Sequence, residues 1–354
     1  MLHEMAGCEY ICDTVRFNYL HVGRPCADQN QHSRLRAYDT TQYPKEKTWR
    51  ATLIKKTVRH AANIIKKTVR QAANALGINI RKYPGTEWRW SYNVDDYYPV
   101  DPIPRWGHGK PPHPQISEIL HQQRSDFSAL LHRFSQCSGV LASVPLEGDP
   151  DSKIPFWRNG GFENLDAVAL VGMLVSNTPT RYMEIGSGNS TKFARHAIQH
   201  ARLPTFIVSL DPNPRGVGAL CDKIVRKRLE DCDLSLFDQL EAGDILFLDG
   251  SHRVFTNSDV TVFFLELMPR LRPGVIIHVH DILLPWDYLP EWNKRMYSEQ
   301  YILAAMMLCP QPLFKVLLPN WFVCDDPELG VQVKSLLEPL GCIARGGSFW
   351  MEKV

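Results

Sequence analysis

The chain has 354 residues, 44% apolar and 22% charged, with a formal net charge of +2. It can bury a sizeable core, and its composition excludes the disordered and collagen-like classes. The near-neutral total hides an asymmetry, with 18 Lys/Arg against 10 Asp/Glu in residues 1–110 and 22 against 28 afterwards, so a basic front precedes an acidic body.

Residues 1–50 show neither helical nor strand period and read as poorly ordered. Glu4, Glu9 and Asp13 interrupt any apolar stretch near the start, so no secretory signal is expected. From 53 to 76 the sequence repeats itself, LIKKTVRHAAN and then IIKKTVRQAAN. The eleven-residue period predicts one helix, with Ile54, Val58, Ala61, Ile65, Val69, Ala72 and Leu76 as its stripe and Gly77 as its stop. Lys55, Lys56, Arg59, Lys66, Lys67 and Arg70 make the opposite face basic. That face suits a peripheral anionic surface such as lipid headgroups; without Trp or Phe anchors, packing of the Ala-rich face on the body or on a second copy is the favoured alternative. A homo-oligomer is compatible with either.

Residues 83–115 are too rich in proline for a helix or an inner strand and read as an extended connector. The expected division is therefore an extension over 1–115 and a catalytic domain over 116–354. Residues 116–137 recover helical period. Beyond Ile154 helices alternate with apolar strands: helix 165–175, strand 181–185, helix 192–201, strand 205–210, a helix near 216–228, strand 244–248, helix 259–271 and strand 274–280. The tail adds helix 298–308, strand 314–323, helix 331–340 and a short strand 347–351, whose last two strands could form an antiparallel edge. Such alternation specifies an α/β fold, a doubly wound and mostly parallel sheet covered on both faces.

Nine cysteines, at 8, 12, 26, 137, 221, 232, 309, 324 and 342, include no Cys-x-x-Cys pair and make an odd total. Such usage suits a reducing cytoplasm, and no apolar run reaches the roughly 18 residues of a spanning helix.

Ligands of doubly wound sheets bind beyond the carboxyl ends of the strands. The first strand ends Glu184-Ile185-Gly186-Ser187-Gly188, where two glycines permit a tight turn and close backbone approach, and Ser190 and Thr191 could cap the next helix. Twenty-seven residues after Glu184 the second strand ends at Asp211, placed to meet the ribose of an adenosine ligand. That spacing serves nicotinamide and S-adenosylmethionine sites alike. Thr191 in place of the third glycine of GxGxxG, and an acid before the glycines, favour the second, while a nicotinamide-dependent oxidoreductase or a non-catalytic binding module on the same fold stays open.

With YMEIGSGNSTKFA, IVSLDPNPR, LFDQLEAGDILFLDGSH and RLRPGVIIHVHDILLPWDY in view, residues 154–354 resemble class I S-adenosylmethionine-dependent methyltransferases of the methyltransferase domain 24 group, with a seven-stranded sheet. The resemblance implies S-adenosylmethionine as cofactor. It makes Glu184 the acid that fixes the loop or meets the methionine ammonium, lays Gly186, Ser187 and Gly188 under the cofactor, and gives ribose to Asp211. One of Glu230 and Asp231 would face adenine, and Asp249 would lie beside the sulfonium.

A sulfonium is already a potent methyl donor, so catalysis needs in-line positioning and a base for the acceptor proton. The candidate catalytic residues are Asp249, His252 in the DGSH turn, and His280 at the end of the fifth strand. His278 should share a strand face with His280 and read as a histidine satisfied inside the sheet, with Asp281 on the other face. Some methyltransferases of related fold hold a divalent cation at these strand ends, which implies Asp249, His280 and Asp281 here, with histidine where those relatives keep an acid. Pro285, Trp286, Asp287, Tyr288 and Trp292 form an aromatic loop that suits either an acceptor pocket or core packing. The Asn/Asp-Pro-Pro-Tyr/Phe signature of nucleic-acid methylation is missing after the fourth strand, so no specific nucleic acid is expected. A small-molecule or sugar acceptor, methylated on a hydroxyl or amine, fits best.

Overall fold

The structure is a computed structural model that describes residues 102–354 except 163 and 215, together with Thr68. The expected basic helix 53–76 and most of the connector lie outside the described residues; within the former, Thr68 alone is described, and it is helical.

Helices α1 (Pro114–His121), α2 (Arg124–Ser135), α3 (Ser138–Ala142) and α4 (Asn164–Asn177) precede the sheet. Then come β1 (Arg181–Ile185), α5 (Asn189–Ala201), β2 (Phe206–Leu210), β3 (Lys223–Val225), β4 (Ile245–Leu248), α6 (Asp259–Val262), β5 (Ile276–Val279), α7 (Glu299–Met307), β6 (Phe314–Pro319), α8 (Asn320–Asp325), α9 (Leu329–Leu337) and β7 (Phe349–Lys353). α6 runs through a π turn, Phe263–Leu267, into Met268–Arg270. Pro269 has no N–H to give to the preceding turn, and a widened turn absorbs that defect.

One seven-stranded sheet is ordered β3-β2-β1-β4-β5-β7-β6, all parallel except β7, which runs antiparallel to both β5 and β6. The order reverses beside β1, so the carboxyl ends of β1 and β4 flank the crevice in which such sheets take ligands. β1 and β4 are apolar apart from Arg181 and Glu184 and lie in the core with Tyr182, Met183, Ile185 and Ile245 through Leu248 buried. A row of aromatic rings crosses three strands: His278 stacks on Phe247 of β4 at 4.2 Å and on Trp350 of β7 at 3.8 Å between ring centroids.

Three elements depart from expectation. The helix expected near 216–228 is a single 3-10 turn, Val217–Leu220, followed by β3. Asp222 draws the chain into the sheet, accepting the N–H of Ile207 at 2.7 Å and pairing with Arg195. The strand expected to reach 323 stops at Pro319, because Asn320 turns the chain: its N–H meets the Ser348 carbonyl and its side chain donates to Asp166 Oδ1 at 2.8 Å. The helical stretch 116–137 breaks into α1 and α2 at Gln122 and Gln123.

No helix among the described residues is long and apolar enough to cross a membrane.

Candidate active site

The loop between β1 and α5 is built around Glu184. Thr191 Oγ1 donates to Glu184 Oε1 at 2.6 Å and accepts the Gly188 N–H at 3.1 Å, while the Tyr182 hydroxyl donates to Oε2. Glu184 thus clamps the first turn of α5 to the strand. Burial pushes its carboxyl up to about 8, against the opposing hydrogen bonds of Thr191 and Tyr182. Gly186 has φ +85, and a Cβ there would collide with the Asp249 carbonyl oxygen, so the close approach of the β1 and β4 loops requires glycine. Gly188 differs. Its backbone is extended, at φ −178, and a Cβ would meet no protein atom within 4 Å.

Asp211 faces this loop. Its Oδ2 accepts both the N–H (2.9 Å) and the hydroxyl (2.7 Å) of Ser187, and its Oδ1 accepts the Asn213 N–H. Glu230 and Asp231 lie on a 3-10 turn after β3, both beside Arg228. The Glu230 side chain is 14% exposed and that of Asp231 51%, so Glu230 is the one turned inward.

At the ends of β4 and β5 four side chains converge. His252 Nε2 lies 3.2 Å from Asp249 Oδ1 and 3.8 Å from Asp281 Oδ2. His280 Nδ1 lies 3.5 Å from Asp249 Oδ1 and 3.6 Å from Asp281 Oδ1. Strand alternation puts Asp281 on the face away from His280, but the strand ends at Val279 and Asp281 takes φ 56, which brings its carboxylate back to both histidines. His252 is also left-handed, at φ 59.

Behind the histidines stand two buried carboxylates that sequence reasoning missed. Glu299 bonds His252 Nδ1, and Asp166 lies 3.5 Å from His280 Nε2. Glu299 heads α7 and reads as an ordinary first-turn acid; Asp166 is the single charge on an otherwise apolar helix, which was the available signal. Asp166 is further held by the N–H groups of Gly347 and Ser348 and by Asn320.

The charges are set by these neighbours. Burial opposes charge on His252, but Glu299 and Asp249 outweigh it and hold the imidazole well above its ordinary pKa. Burial also opposes charge on His280, and Asp249 and Asp281 likewise raise it. Desolvation works to raise Asp249, yet the charge of His280 and the hydrogen bond of His252 keep it far below the usual carboxylate range. Both imidazoles are thus made more basic than a free histidine by the carboxylates around them. His278 is held neutral, first by burial and then by the charge of His280, with Nε2 on Ser348 Oγ at 2.7 Å.

A cavity of about 460 Å³ opens above this cluster. Asn189 and Ser190 at the start of α5, Asp249, His252, His280 and Asp281 form one side; Phe162, Trp292, Tyr297 and Trp321 bring rings, and Arg295 and Arg345 bring charge. Of the expected aromatic loop only Trp292 lines it. Pro285 and Trp286 line a separate 90 Å³ pocket, Tyr288 is buried, and Asp287 accepts the N–H groups of Arg105 and Trp106.

The family model described as a methyltransferase domain matches residues 183–282, which span β1 to the loop after β5 and hold the glycine loop, Asp211, Asp249, His252, His280 and Asp281. The fold and this match define a class I S-adenosylmethionine-dependent methyltransferase. That match is to the kind of domain that the sequence resembles. Similar solved structures include the S-adenosylhomocysteine-bound Podospora anserina methyltransferase PaMTH1, 18% identical over 54% of this chain and 78% of that one, with a TM-score of 0.34. A structure described as cmcI-D160 with Mg and S-adenosylmethionine is 15% identical over 52% and 68%, with a TM-score of 0.29. The plantazolicin methyltransferase BamL, complexed with a triazolic desmethylPZN analog and S-adenosylhomocysteine, is 13% identical over 67% and 99%, with a TM-score of 0.32. No curated protein matches the sequence.

Proposed function

We propose that the protein moves the methyl group of S-adenosylmethionine to a hydroxyl or amine of a small-molecule or sugar acceptor seated in the 460 Å³ cavity. The observation that carries this reading is the position of Asp249, whose backbone packs on Gly186 of the glycine loop and whose side chain lines the cavity. Donor and acceptor sites therefore share one wall, as in-line displacement demands.

Gly188 supports the donor half. Neither its φ nor its surroundings require glycine, so the missing side chain is explained by a ligand lying flat on the loop. The cofactor would rest on Gly186, Ser187 and Gly188, with ribose at the free lone pairs of Asp211, adenine at Glu230, and the methionine end at Asp249, while Glu184 holds the loop in shape. On transfer the acceptor oxygen or nitrogen takes the methyl, the sulfonium leaves as a neutral thioether, and the acceptor proton passes to the cluster of Asp249, His252, His280 and Asp281.

Among the described residues no three His, Cys, Asp or Glu side chains are drawn up tightly enough to clasp an ion as they stand. His280 Nδ1 nevertheless lies 3.5 Å from Asp249 Oδ1 and 3.6 Å from Asp281 Oδ1. A divalent cation held by those three would lower the pKa of a hydroxyl acceptor.

Calorimetry and thermal shift with S-adenosylhomocysteine against NAD test the cofactor, followed by transfer of labelled methyl to matched hydroxyl and amine acceptors. Stabilisation by S-adenosylhomocysteine of about 2.7 kcal/mol at a hundredfold excess over Kd is expected. Stabilisation by NAD alone, or methylation confined to carbon or sulfur acceptors, would overturn the proposal.

A further inference from the structure

We propose that the methyl acceptor is an aromatic hydroxy compound carrying an oxyanion such as a carboxylate, which the cavity selects through Arg295 and Arg345. The inference deepens the methyl-transfer reading of the same cavity and rests on it.

The two arginines carry it. Both line the cavity, and neither guanidinium meets a carboxylate or a carbonyl oxygen among the described residues. Other arginines are engaged within the protein. Arg124, Arg181, Arg195 and Arg270 pair with carboxylates, and Arg253 donates to the carbonyls of Ser251 and Arg295. A guanidinium offers its donors as a planar fork that fits a carboxylate or phosphate with two parallel hydrogen bonds. Two such forks on one cavity, with no internal acceptor, form a site for an anion that comes with the ligand.

Both arginines are fixed at their base. The Arg295 guanidinium lies 4.5 Å over the Trp292 ring and 5.5 Å over that of Tyr297, and its own carbonyl accepts Arg253 Nε at 2.9 Å. Tyr297 in turn packs on His252, with 4.4 Å between ring centroids, so one layer of rings joins this arginine to the reacting cluster. The Arg345 carbonyl accepts the Leu165 N–H at 3.0 Å, and the N–H groups of Gly347 and Ser348 just beyond it hold Asp166. The two side chains are themselves exposed and able to close on a ligand.

Charge then orients the acceptor. The carboxylates of Asp249 and Asp281 disfavour an anion beside them, whereas a hydroxyl must reach that cluster to lose its proton. The oxyanion therefore goes to the arginines and the hydroxyl to the cluster. Phe162, Trp292, Tyr297 and Trp321 supply ring surface for an aromatic body, and about 460 Å³ suits a compound of one or two rings.

The test titrates hydroxybenzoates and hydroxycinnamates, their methyl esters and hydroxyphenyl phosphates into the full chain saturated with S-adenosylhomocysteine, read by calorimetry. The best anion is expected to bind about tenfold tighter than its neutral counterpart, and the tighter of carboxylate and phosphate identifies the oxyanion. Arg295→Gln and Arg345→Gln, both surface changes, should each reduce that preference about fivefold and leave S-adenosylhomocysteine affinity unchanged. Failure of every anion to bind, equal binding of acids and esters, or an unaltered preference in both variants would overturn the inference. Labelled methyl transfer is followed in parallel. If S-adenosylhomocysteine binds and acids and esters are methylated alike, the anion site is wrong and the methyltransferase reading stands; if S-adenosylhomocysteine does not bind, that reading falls and this inference with it.

Discussion

Gly186 and Gly188 stand two positions apart in one loop and answer to different constraints. Gly186 is required by the protein itself, through positive φ and the Asp249 carbonyl, whereas Gly188 is not. Gly186→Ala is therefore expected to destabilise the fold by several kcal/mol, with strain and collision adding. Gly188→Ala should leave the melting temperature of the ligand-free protein within a degree or two and weaken S-adenosylhomocysteine at least tenfold by calorimetry; a reversed pattern would remove the glycine loop from the cofactor site. Both glycines were legible as a loop signal, yet which one serves the ligand depends on what surrounds each Cβ. Asp211 teaches the same lesson: its place at the end of β2 suggested a ribose partner, while its bonds to Ser187 and Asn213 show that it also holds the loop, so its removal is expected to cost fold stability as well as affinity.

The joint between β1 and α5 depends on the protonation of Glu184. Unfolded, this carboxyl titrates near 4.5; folded, burial raises it to about 8, so the native state keeps a proton the unfolded state has released. Its contribution to stability is fully present below pH 4.5 and is lost as pH rises towards 8, a change of a few kcal/mol by linkage. Glu184→Gln, a near-isostere of the neutral acid, should flatten that slope and be more stable than the parent at pH 8.5 in ligand-free denaturant titrations. Equal pH slopes in the two proteins would mean that Glu184 is ionised in the native state. Strand positions were readable because buried parallel strands are continuous apolar runs. The ends of β5 and β6 were not, since His280, Asp281 and Asn320 leave the strand for tertiary partners.

Across the molecule, the segment before α1 is tied to the loop after β5 through one carboxylate. Asp287 Oδ2 accepts the N–H groups of Arg105 and Trp106, its own N–H goes to the Trp106 carbonyl, and Oδ1 accepts the Tyr301 hydroxyl at 3.1 Å. Asp287→Ala is expected to cost about 1–3 kcal/mol, because two backbone donors lose a shielded acceptor. It should also speed tryptic cleavage after Arg105, and unchanged cleavage and melting temperature would show that the segment is held by other contacts. Asn293, on the turn that carries Trp292 into the cavity, donates to the Pro102 carbonyl. The segment and the acceptor wall are thus mechanically joined.

Periodicity and strand-end chemistry alone determined the doubly wound class, the strand order in time along the chain, the glycine loop, and the acids at the ends of β1, β2 and β4, since these follow from local burial patterns and short-range spacing. Tertiary structure decided what distance along the chain conceals: that Asp166 and Glu299, 114 and 47 positions from their histidines, stand behind His280 and His252, that Asp281 turns back towards them, and that Glu230 rather than Asp231 faces inward. Those facts depend on which side chains the sheet order carries to one crevice, a pairing that no local preference encodes.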